Sequence, residues 1–94
     1  MKVSRWEMKV LDVFYLTSGH TVLVGRVQDR KELIGKCMVE IILDGKEIKI
    51  ITIDGEWLTG NNHPEGHRAI STTEPLTLTP ALVVHHDCRL RVVY

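Results

Sequence analysis

Apolar and polar residues alternate along the first part of the chain, which is the pattern of half-buried β-strands. The alternation begins at Trp6 and continues to about Leu16. After Val10 its phase shifts by one residue, because Leu11 is also apolar. Two apolar phases within one strand predict a β-bulge or a barrel corner. We therefore expect one long, bent strand over residues 6–16.

Two glycines define the strand that follows. Gly19 lies in a polar stretch at 17–20 and can adopt a positive φ, which predicts a turn there. Residues 21–27 then form the return strand of a hairpin. Gly25 inside that strand predicts a bend or a close approach of the neighbouring backbone.

Asp-Gly pairs predict the next turns. The pair at 44–45 separates apolar runs at 37–43 and 46–53, and Asp-Gly between such runs is a strong hairpin signal. A second pair at 54–55 repeats the signal before a strand that starts at Glu56. We expect a hairpin turn at each pair.

The last part of the chain contains the clearest loop and several short apolar runs. Residues 59–66 are rich in Gly, Asn and Pro and predict a loop. Residues 68–72 are expected to be extended. Residues 76–79 lie between two prolines and suit an edge strand or an extended loop. The runs at 81–84 and 89–93 are predicted as the final strands.

These segments predict an all-β chain that forms a single domain over residues 1–94. The expected architecture is a small closed or nearly closed antiparallel β-barrel of about six to eight strands, since closure removes exposed strand edges. Composition supports this class. The chain has 11 Val, 8 Ile and 8 Thr but only two Ala, and β-branched side chains favour strands over helices.

Charge and cysteine content indicate which partners and which cellular compartment suit the protein. Lys+Arg and Asp+Glu both number 12, which argues against a general electrostatic attraction to nucleic acid or to anionic membranes. No apolar run approaches the roughly 20 residues that span a bilayer, and no secretion-signal pattern is present at the N-terminus. With only two cysteines, we expect reduced thiols and a cytoplasmic location.

Residues 12–27 (Asp-Val-Phe-Tyr-Leu-Thr-Ser-Gly-His-Thr-Val-Leu-Val-Gly-Arg-Val) resemble the opening of the second domain of elongation factor Tu and related translational GTPases. In that family a glycine turn and a Thr-Val-x-x-Gly-Arg-Val strand are followed by an Ile-Gly-Asp-x-Val step. The corresponding step here is Ile34-Gly35, with Lys36 at the usual Asp. The resemblance covers roughly residues 11–43.

The resemblance implies a β-barrel. In the large factors this barrel helps to hold the aminoacyl end of transfer RNA and packs against the other domains. The family's GTP-binding residues lie in a different domain. This chain contains no Gly-x-x-x-x-Gly-Lys-[Ser/Thr] phosphate loop, so no GTPase activity is expected.

Histidines and a cysteine provide the candidate metal ligands. Zinc is bound by four nitrogen or sulfur donors, and two loops would supply them if they met in space. We expect no cofactor. We also expect no catalytic residues, because neither thiol has a feature that would make it a nucleophile. The metal candidates are His63, His67, His86 and Cys88.

Loop ends and exposed strand faces are common binding sites on small barrels. Trp57 stands beside the long loop, so we predict a binding site that combines it with the loop and the residues after it. The predicted binding residues are Trp57, Asn61, Asn62, His63, His67 and Arg68.

These observations favour a non-enzymatic binding or interaction module that engages a protein partner. A barrel that binds single-stranded RNA or the end of a transfer RNA is the first alternative, through aromatics and arginines. A small metal-binding protein is the second. The terminal strand at 89–93 either closes the barrel or leaves an edge for pairing, so a monomer or a weak homodimer is expected.

Overall fold

A computed structural model describes residues 6–27, 33–57 and 67–93. Within these residues, one antiparallel sheet of seven strands is accompanied by a single short helix. The elements are β1 (Glu7–Tyr15), β2 (Thr21–Val27), β3 (Cys37–Leu43), β4 (Lys46–Ile53), β5 (Gly55–Glu56), β6 (His67–Thr72), α1 (Pro80–His85) and β7 (Cys88–Val92). The strand order is β4-β3-β7-β1-β2-β6-β5. The predicted all-β class is confirmed.

The hairpin of β1 and β2 contains the predicted irregularity. Its register shifts between Val10 and Asp12, which makes Leu11 the extra residue of a β-bulge. Gly25 is paired with Val10 at this point, and a Cβ on Gly25 would lie 2.1 Å from the carbonyl oxygen of Lys9. Both the bend in β1 and the close approach at Gly25 are therefore confirmed.

The sheet curls into a half-barrel whose two edges meet at one corner. β4 ends at Ile53, and β5 begins two residues later on the opposite edge of the sheet. At this corner the Asp54 amide donates to the Ser71 carbonyl (2.8 Å), and the Thr72 hydroxyl donates to the Thr52 carbonyl (2.7 Å). These bonds join the end of β4 to β6, whereas its first five residues remain exposed.

The concave side of the sheet holds the hydrophobic core. Trp6 is 6% exposed and belongs to this core, so it packs rather than presenting a surface. Burial of such side chains supplies most of the driving force for folding, at about 25 cal/mol per Å² of apolar area. The largest fully buried apolar side chains are Met8, Leu23, Ile41, Ile51, Ile53, Ile70 and Leu90.

The two Asp-Gly pairs behave differently. Asp44 and Gly45 both have positive φ (50° and 85°), as a type I′ hairpin turn requires, and β3 and β4 pair across them. At the second pair only Gly55 has a positive φ, 138°. Because Asp54 bonds to β6 instead, the chain crosses to the other edge of the sheet and β5 pairs with β6. The predicted hairpin at 54–55 is wrong.

The run at 81–84 was expected to be a strand and instead lies within α1. The Thr79 side chain caps this helix by accepting a hydrogen bond from the Leu82 amide (3.1 Å), and Pro80 occupies the first helical turn. Val83 anchors the helix in the core. The β-branched Val83 and Val84 have a weak preference for strands. The Thr79-Pro80 cap and the burial of Val83 outweigh this preference.

β7 lies inside the sheet and is paired with β3 on one side and with β1 on the other. It therefore presents no free edge for a second copy. Residues 76–79 belong to no strand and lie in a loop, which is one of the two predicted alternatives. The predicted loop at 59–66 lies outside the described residues. Among the described residues, no helix has both the length and the apolar character to cross a bilayer.

Candidate functional site

The outer face of β1, β2 and β6 carries the side chains that alternate with the core residues. On β2, Leu23 and Val27 belong to the core. Val22, Val24 and Arg26 therefore point outward. This face changes character along the strand, from apolar at Val22 to basic at Arg26.

Trp57 covers the apolar end of this face. Its backbone amide donates to the Ala69 carbonyl (2.8 Å), which places it just beyond β5. Its ring centroid lies 5.6 Å from that of His20, with the rings tilted by 48°. His20 lies beyond the outward row of Gly55, Ser71 and Val22. The indole therefore lies on the same outer face as this row, where Ser71 and Val22 are both 5% exposed.

Phe14 extends the same surface onto β1. It is paired with Val22 across the hairpin and is 48% exposed. His20 and Trp57 are themselves only half-buried. We call Phe14, His20 and Trp57, together with the buried Val22 that is paired with Phe14, the aromatic platform. Isolated exposed apolar residues are common on proteins, but a group of this kind on one face marks an interaction surface.

A basic row adjoins the aromatic platform on the outer face. It consists of His67 on β6, Arg26 on β2 and Lys9 on β1, which are neighbours in register. The Arg26 Nε donates to the Nε2 of His67 at 3.3 Å. Among the described residues, neither Lys9 nor Arg26 forms an ion pair with a carboxylate.

Arg68 points the other way, toward the concave side. Its guanidinium forms an ion pair with Glu56, and the two side chains are only 14% and 12% exposed. The Nε of Arg68 lies 3.0 Å from Oε2 of Glu56, whose other carboxylate oxygen accepts from the Ile34 amide (3.1 Å). Through Glu56, Arg68 therefore links β5 and β6 to the segment at Ile34.

The described metal candidates are held in separate environments. His67 belongs to the basic row, and the Nδ1 of His86 lies 2.7 Å from Oδ2 of Asp44. Cys88 is fully buried at the start of β7, and desolvation raises the pKa of its thiol to about 11. Among the described residues, no three His, Cys, Asp or Glu side chains are grouped as metal ligands. His63, like Asn61 and Asn62, lies outside the described residues.

The outer face of β7 has a different electrostatic character. Arg89 lies 3.1 Å from Asp87 and 3.6 Å from Glu7, and Arg91 lies 3.4 Å from both Glu7 and Glu40. Each of these guanidinium groups is thus compensated by neighbouring carboxylates. In this part of the surface, positive and negative side chains alternate and compensate one another.

The candidate surface contains the predicted Trp57 and His67, together with Phe14 and His20, which the sequence did not single out. The missed signal lies in the alternation after the bulge, where Val13 faces inward and Phe14 occupies an outward position. An aromatic residue in the outward phase of a strand indicates a surface that is not purely structural.

No family model, no curated protein and no solved structure matches this chain.

Proposed function

We propose that this protein is a non-enzymatic binding module that docks an apolar segment of a protein partner on its aromatic platform. The carrying observation is that the half-buried rings of His20 and Trp57 lie 5.6 Å apart on the outer face that also holds Phe14, which is 48% exposed, and that none of the three belongs to the hydrophobic core. Aromatic side chains are enriched at protein interfaces because they bury a large area at a small entropic cost.

The setting of the module is part of the same proposal. From the likeness of residues 11–43 to the second domain of translational GTPases, we infer that the half-barrel acts through surface contacts within a translation-related assembly. We place the module in a reducing, cytoplasmic compartment because the chain has only two cysteines, too few for the disulfide framework of a small secreted domain. A neutral net charge favours a protein partner over RNA.

Affinity capture with surface variants tests this function. Tagged wild-type protein, the double variant Phe14→Ser/Trp57→Ser and the control Ile50→Ser would be incubated with lysate of the native host, and retained proteins quantified by mass spectrometry. Ile50 is 43% exposed on β4, close to the 48% of Phe14, and lies away from the platform. Proteins retained by wild type and control but lost by the double variant support the proposal. Equal retention by all three, with unchanged melting temperatures, contradicts it.

A further inference from the structure

The aromatic platform and the basic row lie on one continuous face at a defined separation. Val22 is paired with Phe14, and Arg26 is paired with Lys9, so each pair marks one row across the hairpin. The two rows are four residues apart on β2, which corresponds to about 13 Å at 3.3 Å per residue. A ligand that lies along the strands would meet an apolar surface first and two cations after that distance.

The cations of the basic row differ from the other arginines on the sheet surface. Arg89 is next to Lys9 in register but has Glu7 and Asp87 within 3.6 Å. Lys9 and Arg26 are both exposed and have no carboxylate partner among the described residues. In a chain with a net charge of zero, these two adjacent cations form a local positive site that is complementary to an anionic group.

The residue between the two rows distinguishes one kind of anionic ligand from another. Asp12 is paired with Val24 and shares its outward side, midway between the platform and the cations. Single-stranded RNA carries a phosphate on every nucleotide and would place negative charge near this carboxylate. A peptide can present a neutral residue there, so Asp12 favours a peptide over RNA.

We propose that this face recognises an extended, acidic protein segment in which an apolar anchor and a carboxylate side chain are four residues apart. The anchor packs on the aromatic platform, and the carboxylate binds Lys9 and Arg26. Residues at positions i and i+4 of an extended chain point to the same side, so both groups face the sheet at once. This inference rests on the proposed binding function and adds the chemistry of the partner.

Synthetic peptides of defined sequence test the spacing. Each fluorescein-labelled, thirteen-residue peptide has a Ser/Thr background and a central leucine, with one glutamate placed two to six residues away on either side. Fluorescence anisotropy gives each Kd. We expect the tightest binding at a separation of four residues, by roughly fivefold over a separation of three, because an odd separation turns the carboxylate away. Absence of binding by every peptide, or affinity independent of spacing, overturns the inference.

A charge swap separates this inference from the binding function itself. The double variant Lys9→Glu/Arg26→Glu should bind the peptide with leucine and glutamate four residues apart roughly tenfold more weakly than wild type does. It should instead bind the peptide in which lysine replaces that glutamate. Lys46→Glu changes an exposed cation on β4 and should leave both affinities unchanged. Equal binding by the charge-swapped protein, with binding still lost in Phe14→Ser/Trp57→Ser, overturns the acidic specificity and leaves the binding function intact.

Two further outcomes complete the test. Peptide binding that survives Phe14→Ser/Trp57→Ser contradicts the proposed function as well as the inference. An oligouridine that binds more tightly than every peptide, and competes with them for the wild-type face, assigns the surface to RNA and overturns the inference. Circular dichroism and melting temperature of every variant establish that the comparison is made between folded proteins.

Discussion

The carbonyl oxygen of Lys9 occupies the space that a side chain at Gly25 would need. A Cβ built on Gly25 lies 2.1 Å from that oxygen and 2.8 Å from Cγ of Met8. Both obstacles belong to the bulged part of β1, where neighbouring strands hold the backbone. This close approach lies next to the pairing of Lys9 with Arg26, which form part of the basic row.

Gly25→Ala is therefore expected to destabilise the protein by about 3 kcal/mol or more, because the backbone must shift to admit the methyl group. Urea denaturation measures this difference. Gly35→Ala is the matched control, since nothing lies within 4 Å of its added Cβ and Gly35 is exposed. The control should change stability by no more than about 0.5 kcal/mol. Similar stabilities for the two variants would contradict the close approach.

The turn at Asp44 predicts an acid-dependent contribution to stability. Its carboxylate accepts from the Asp87 amide (2.9 Å) and lies 2.7 Å from His86, and these interactions lower the pKa of Asp44 below its ordinary value of 3.8. A lowered pKa contributes stability that is complete well above the ordinary value and is lost as pH falls through the folded-state pKa.

Asp44→Asn removes the charge but keeps an acceptor and tolerates the positive φ at this position. Unfolding free energies at pH 7 should be higher for wild type than for the variant. The difference should shrink as pH falls below about 4 and vanish in stronger acid. A difference that is constant between pH 7 and pH 2 would show that the carboxylate charge contributes nothing.

The two thiols should react at very different rates. Cys88 is fully buried, and desolvation first, then the charges of Asp87 and Asp44, raise the pKa of its thiol to about 11. Thiolate is the reactive form, so iodoacetamide at pH 8 should modify Cys37 and leave Cys88 intact. Both should react in urea. Rapid native modification of Cys88, detected by peptide mass spectrometry, would contradict its burial and reopen its candidacy as a metal ligand.

Arg68 should matter for stability rather than for partner contact. Arg68→Met removes the guanidinium that pairs with the largely buried carboxylate of Glu56, at an expected cost of up to about 3 kcal/mol. Adding Glu56→Gln should recover part of this loss, as a double-mutant cycle would reveal. A variant with wild-type stability but reduced partner capture would instead make Arg68 a binding residue, as its position in the sequence suggested.

Local patterns in the sequence predicted much of the sheet. Period-two alternation, the phase shift at Val10 and the Asp-Gly turn at 44–45 all depend on neighbouring residues, so β1 to β4 could be located. The crossing of the chain to the other edge of the sheet at Gly55 could not be predicted, because it depends on hydrogen bonds that join Thr52 and Asp54 to β6. The same reason explains the site: Phe14 and His20 lie on one hairpin, whereas Trp57 is brought beside them only by the strand order.

The central claim is that the aromatic platform contacts a protein partner, and site-specific photocrosslinking tests it most directly. p-Benzoylphenylalanine would be incorporated at Phe14, where it preserves the aromatic ring, or at Ile50, which is similarly exposed on β4. Irradiation of living native host cells should give a discrete, heavier adduct from position 14 and none from position 50. No adduct from position 14, or the same adduct from both positions, would contradict the claim.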